Sequence, residues 1–407
     1  MGPLAGIRVL DLTRVLAGPL AGQILADLGA DVVKVERPGS GDDTRAWGPP
    51  YLRDAAGNET RESTYFLCAN RGKRSIAIDL AHADGQALVR ELAAGADVLI
   101  ENFKVGDLAR HGLDHATLTA ANPRLVYCSV TGYGQTGPYA PRPGYDPIAQ
   151  ALGGLMSVTG ERDDLPGGGP QRAGIAVIDV MTGVYSALGI VAALMHRQTS
   201  GRGQQVDMAL LDVQVATMVN TAQAWLGAGV VSGRVGSGHP SVVPSQIFHA
   251  SDGHVMLTAG NDAQFERFCG AADCRALLDD PRFATNEARV RHREHVITVI
   301  VAIVAARPVA SWVEALTAVG VPCAPINDMA AVFADPQVQA RGLRVDLPDP
   351  VAGMLGLVAS PLRLSESAVE YRLPPPRLAE HTDAVLREWL GCADARIASL
   401  RAAGAIA

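Results

Sequence analysis

The sequence predicts an α/β protein whose larger part is an open, mostly parallel sheet. Two observations carry this. Short β-branched runs alternate with helical stretches through the first third of the chain. The intervals between successive strands suit a crossover helix and are too long for hairpins. Composition agrees: 48% hydrophobic and 19% charged residues make a globular chain, neither disordered nor fibrous. At 407 residues it exceeds what one core normally supports, so a second domain is expected.

The elements follow in order. Ile7–Leu12 reads as a strand and Arg14–Pro19 as a loop, and Pro19 suits the first turn of a helix running to Leu28. Gly29 ends that helix, and Asp31–Glu36 is the next strand, closed by Pro38-Gly39. Lys73–Ile78, Asp97–Glu101 and Leu125–Val130 continue the strands, with helices predicted over Asp84–Ala94 and Asp107–Ala120. Ligands are then expected beyond the carboxyl ends of these strands. Gly134–Gly174 is rich in Gly and Pro and reads as an ordered loop region. Asp179 opens an apolar helix through His196, followed by a strand at Val206–Leu210 and a helix from Asp212 to Leu226. Residues 227–245 form a Gly/Ser/Pro-rich linker, and a smaller α+β domain follows from Gln246.

Charge and motifs exclude several functions. Thirty-five basic against 42 acidic residues, with 5% aromatics, give neither a cationic footprint nor a stacking face for nucleic acid. No signal peptide or membrane span is read, since the longest apolar run, Val296–Ala306, is too short. The six cysteines show no CxxC spacing, which suits reduced thiols in a cytoplasmic protein. His239, His249 and His254 fit no metal-ligand pattern, so no metal site is expected. Gly132-Tyr133-Gly134-Gln135-Thr136-Gly137 matches GxGxxG, but Pro138, Pro141 and Pro143 forbid the helix that would hold a pyrophosphate. A nicotinamide site is therefore rejected.

What remains is a cationic rim and one carboxylate. Arg37, Lys73, Arg74, Lys104 and Arg110 all lie near strand ends or the following helix starts, where guanidinium and ammonium groups could hold a phosphorylated ligand. Asp179 lies among apolar residues at a helix start. It reads either as an N-cap or as a nucleophile activated by lost hydration, and sequence alone leaves both open.

The combination resembles the class III (CaiB/BaiF) CoA-transferase family. The resemblance rests on Leu10–Pro19, Gly29–Gly39, Glu101-Asn102-Phe103, Gly134–Tyr139, Gly144-Tyr145-Asp146, Ser200–Gln204, Gly260-Asn261-Asp262, Gly320–Pro325 and Glu380-His381-Thr382. It implies a Rossmann-like large domain built from both chain ends (1–226 and 345–407), a small α+β domain (246–330) and a return linker (331–344). It also implies an interlocked homodimer with no nucleic-acid or membrane partner. By resemblance, Asp179 is the nucleophile, and Gly260 and Asn261 belong to a loop shielding the intermediate. CoA contacts fall on Leu16, Ala17, Arg37, Asn70, Arg71, Gly72, Lys73, Asn102, Phe103, Lys104, Arg110 and Tyr145, with Arg37 and Arg110 as phosphate partners.

No tightly bound cofactor is implied; the CoA thioester is a substrate. Residues 160–170 and 243–246 are similar to members using succinyl-CoA with a second dicarboxylate, and Arg162 or Arg172 is a candidate for a distal carboxylate. The family's racemase branch has His where Tyr145 stands, and a phenol is a poor base at neutral pH. A 2-methylacyl-CoA racemase and a non-catalytic CoA-binding protein remain as alternatives.

Overall fold

Arg8–Asp11 (β1), Asp31–Glu36 (β2), Lys73–Ala77 (β3), Val98–Glu101 (β4), Val126–Thr131 (β5) and Gln205–Ala209 (β6) form one sheet in the computed structural model, which describes residues 1–407. Every neighbour pairs in parallel, in the order β3-β2-β1-β4-β5-β6. This is the doubly wound Rossmann order. Side chains alternate between its two faces. Leu10, Val33 and Ile76 join one core with helix Ala83–Ala94 (α2), while Val9, Val32 and Ile100 join the other with Ala17–Asp27 (α1).

Two predicted helices are shorter than the sequence suggests. Asp107–Ala120 divides into a 3₁₀ turn, Leu108–His111, and a helix, His115–Ala121 (α3). Gly112 takes φ +63° between them, and the Asp114 carboxylate caps the second by accepting from the Thr117 N–H. Asp212–Leu226 divides at Val219, whose φ of +33° interrupts the helical path. Within the expected loop region lies a short helix, Asp146–Leu152 (α4). Upstream of it the GxGxxG segment makes a turn and no helix, as its prolines require. Its first glycine has a steric role: a Cβ on Gly132 would lie 2.5 Å from the Gly144 Cα, so the loop's two ends can touch only as glycines.

Helix Val177–Ser200 (α5) is long and apolar enough to cross a membrane by length and composition alone. One side of it is used within the fold, where Ile178, Ala187, Ile190 and Ala193 join the core beneath α1. The C-terminal helices Thr382–Leu390 and Asp394–Ala402 close the opposite face, contributing Val385, Leu386, Ile397 and Leu400. The His381 N–H donates to the Ser75 carbonyl at 2.9 Å.

The chain divides into two units. The first holds Met1–Gly154, Ala173–Ala222 and Gln339–Ala407; the second holds Leu155–Arg172 and Gln223–Val338. Residues 155–172, expected in the large domain, group with the second unit. There Arg234 donates to the carbonyls of Glu161 (3.2 Å) and Ser157 (3.3 Å). The second unit carries a three-stranded antiparallel sheet and a core around Phe248, Phe265, Phe268 and Trp312.

Candidate active site

From β1 the chain winds outward through β2 and β3, and from β4 it winds the other way through β5 and β6. The strand order therefore reverses between β1 and β4, and a doubly wound sheet opens a crevice at that point. Thr13–Leu16 leaves β1 there and Asn102–Val105 leaves β4. The Asn102 amide ties them together: Oδ1 accepts from the Arg14 N–H at 3.0 Å, and Nδ2 donates to the Arg14 carbonyl at 2.7 Å. Val15 is held at φ +75°, a left-handed conformation costly for a β-branched residue, by donating its N–H to Asp42 at 3.2 Å. Below the turn, the Glu101 carboxylate accepts from the Phe103 N–H at 2.8 Å, and burial pushes its carboxyl up to about 7.

Two cavities meet over this crevice. A cleft of about 250 Å³ is lined by Arg14, Val15, Leu16, Ala17, Asn102, Phe103, Lys104, Arg142, Tyr145 and Asp179, among others. Its neighbour, about 230 Å³, is lined by residues including Arg37, Asp42, Asp79, Leu80, Ala81, Phe103 and His111. Arg14 and Phe103 line both, with the Arg14 guanidinium carbon 5.7 Å from the Phe103 ring centre. The start of α1 faces the cleft through Leu16 and Ala17. First-turn amides have no partner within a helix, so this end favours negative charge.

Asp179 sits in the first turn of α5, three positions past the N-cap residue Ala176. The N-cap reading of Asp179 is therefore replaced. Asp146 at the start of α4 does the capping from outside the helix, with Oδ2 accepting from the N–H groups of Ile178 (2.7 Å) and Asp179 (3.2 Å). Gln150 donates to the other Asp146 oxygen at 2.5 Å, which fixes the carboxylate. Burial, and then the Asp146 charge, push the Asp179 carboxyl up to about 7. A carboxylate so destabilised is a stronger nucleophile than one in water.

Several residues expected to contact the ligand are engaged within the fold. Lys73 is completely buried, and its ammonium donates to Asp11 (2.9 Å), the Pro19 carbonyl (2.7 Å) and Asn70 (2.9 Å). Asn70 is itself buried and donates to the Phe66 carbonyl. Arg71 holds Asp27 through two bonds of 2.9 and 2.7 Å, and the Gly72 N–H donates to the Leu373 carbonyl. These residues enter β3 at its amino end, whereas ligands gather at carboxyl ends. The residues leaving β3, Asp79, Leu80 and Ala81, line the cavity instead, and strand polarity was the signal that points to them. Arg74 of the expected cationic rim is also engaged, by Asp31 and Glu388. Arg110 is exposed, pairs with Asp107 and lines neither cavity.

In the second unit, the Gly260 N–H donates to the Gln264 side chain at 2.7 Å, and Asn261 caps helix Asp262–Ala271 by accepting from the Gln264 N–H at 2.9 Å. Arg162 in that unit is held by Asp164 and Glu294. Arg37 remains exposed at the rim of the smaller cavity. Glu36 beside it, where a dinucleotide enzyme would bind a ribose, is engaged by Arg45 (2.8 and 2.7 Å), Ser75 (2.6 Å) and the Asp42 N–H (2.9 Å).

Comparison with known proteins shows which family the chain belongs to. A succinate–glutarate CoA-transferase of Agrobacterium fabrum is 49% identical over 386 residues, covering 95% of each chain. A succinyl-CoA:glutarate CoA-transferase of Mus musculus is 41% identical, covering all of this chain and 91% of its own. The crystal structure of a CAIB/BAIF family protein from Brucella suis superposes with a TM-score of 0.86 at 43% identity, covering 95% of this chain and 99% of its own. The family model for CoA-transferase family III matches residues 4–382, and the chain belongs to that family.

Proposed function

We propose that this protein transfers CoA from succinyl-CoA to a second dicarboxylic acid, glutarate first among the acceptors to test, with Asp179 as its nucleophile. The observation that carries this is a carboxyl raised to about 7 at a helix start, in one cleft with the amino end of α1. Relatives named for succinate and glutarate at 49% and 41% identity support the substrate choice.

The Asp179 carboxylate attacks the thioester carbon, forming an aspartyl–succinyl anhydride and expelling CoA thiolate. The thiolate attacks the aspartyl carbonyl, releasing succinate and leaving an aspartyl–CoA thioester. The acceptor carboxylate attacks that thioester to form a new anhydride, expelling CoA thiolate again. Thiolate attack on the acceptor's acyl carbon then gives its CoA thioester and restores Asp179. Each step replaces one acyl bond by another, which divides a slow exchange into easier ones. The amino end of α1 is suited to stabilise the oxyanions that form beside Leu16 and Ala17. The adjoining cavity suits the nucleotide end of CoA, with Arg37 at its phosphates, and those remote contacts would hold the thiolate near the anhydride.

The same reading takes the enzyme as a cytoplasmic homodimer with interlocked subunits. In its support, Val184, Leu188 and Met195 lie along one face of α5 and are 45, 60 and 65% exposed in the single chain. The six cysteines are free thiols, as a reducing compartment keeps them. The racemase alternative loses ground because no imidazole lines the cleft around Asp179.

The test combines succinyl-CoA and glutarate, follows glutaryl-CoA by mass spectrometry, and traps with hydroxylamine. A hydroxamate at Asp179, absent from Asp179→Asn, is the expected result. Turnover without modification of Asp179 would remove it from the chemistry, and deuterium uptake at the α-carbon of a 2-methylacyl-CoA would restore the racemase.

A further inference from the structure

Three cationic side chains line the cleft: Arg14, Lys104 and Arg142. Arg14 is paired, its Nη1 2.9 Å from Asp43. Lys104 directly follows Phe103, the residue that also lines the neighbouring cavity. Arg142 has no such engagement. It lies on the loop between β5 and α4, where its backbone N–H donates to the Tyr139 carbonyl at 2.8 Å. Its guanidinium carbon stacks 3.8 Å from the centre of the Tyr139 ring, and Tyr133 meets Tyr139 edge-on at 5.7 Å.

This stacking orients the guanidinium through its face and leaves its edge N–H groups without an acceptor in the chain. A planar fork held in that way matches a carboxylate bidentately. Its placement is also selective. Arg142 lines the same cleft as Asp179, on the loop that leads into Asp146, the cap of the helix bearing the nucleophile. A molecule that meets both in this cleft carries a negative group besides its reacting carbonyl.

Resting on the transferase reading of this cleft, we propose that Arg142 binds the free distal carboxylate of the dicarboxylic substrate and thereby selects dicarboxylic over monocarboxylic acyl groups. Arg162, a candidate for this role in the sequence, is already held by Asp164 and Glu294.

The experiment compares kcat/KM for succinyl-CoA and butyryl-CoA as donors, with glutarate as acceptor, in the unaltered enzyme, Arg142→Gln and Arg142→Lys. Butyryl-CoA carries the same chain length and the same CoA but no distal charge. In Arg142→Gln the succinyl-to-butyryl ratio is expected to fall on the order of 100-fold, with the butyryl-CoA value nearly unchanged and part of the ratio restored in Arg142→Lys. An equal fall for both donors would mean that Arg142 serves CoA or the fold, and an unchanged ratio would mean no role in recognition; either overturns the proposal. Failure of the unaltered enzyme to form glutaryl-CoA from any donor would instead overturn the transfer reading, and the assignment with it.

Discussion

Replacing Asp179 by asparagine should make the protein more stable as pH rises above about 4, with the full gain reached once the folded carboxyl ionises, above about pH 7. The Asp179 carboxyl lies at about 7 in the folded chain against an ordinary 3.8. That difference of about 3 units, at about 1.36 kcal/mol each, sets an upper bound of ~4 kcal/mol on the cost of ionising it in place. Water reaching the partly open cleft lowers the working figure to roughly 1–3 kcal/mol. The sign follows from linkage. A carboxyl raised on folding contributes stability that is fully present below its unfolded value and is lost as pH climbs through the folded one. Asparagine keeps the size without the charge, so the variant and the parent should converge near pH 4 and separate by roughly 1–3 kcal/mol at pH 8. Urea unfolding of both proteins at several pH values, at one protein concentration, measures this directly. A difference independent of pH, or a parent more stable at pH 8, would refute the idea that Asp179 is held as a destabilised carboxylate.

Activity should show the same group from the other side: kcat/KM for succinyl-CoA is expected to rise with pH to a plateau around 7 and above. Asp146→Asn should move that limb to lower pH, since one of the two influences raising Asp179 is gone, while the plateau drops about tenfold as the Ile178 and Asp179 N–H groups lose a charged acceptor. A limb that stays in place would assign the raised Asp179 to burial alone. Lys73→Met should destabilise the fold by about 3–5 kcal/mol by stranding Asp11, while leaving the KM for CoA thioesters unchanged in the folded fraction. A raised KM at full stability would return Lys73 to the ligand. Arg37→Ala should raise the KM for succinyl-CoA roughly 10–100-fold. A thioester lacking the 3′-phosphate should respond much less if that phosphate is the partner, and steady-state kinetics with both thioesters decide it.

What was legible in the sequence and what was not divides along one physical line. Strands β1 to β6 could be read because short runs rich in β-branched and apolar residues, spaced by helical stretches, are local information. Asp179 stood out for an equally local reason, a carboxylate among apolar neighbours. The partners of charged groups are not local. Lys73 meets Asp11 62 residues away, and a buried lysine of that kind reads in sequence like one awaiting a phosphate. The cap of α5 comes from Asp146, 33 residues before Asp179, so no spacing rule around Asp179 could separate capping from nucleophilic roles. The same holds for Arg142 and Arg162, both loop arginines of similar context, of which one has two carboxylates at hand and the other only a tyrosine face. Strand polarity is the exception that sequence could supply, since a βαβ reading already states which end of β3 faces a ligand. It favours Asp79–Ala81 over Asn70–Lys73 before any contact is seen. Where basic residues and strand polarity disagree about a binding site in a doubly wound sheet, polarity is the safer guide, because it follows from chain direction alone and needs no knowledge of which charges are already paired.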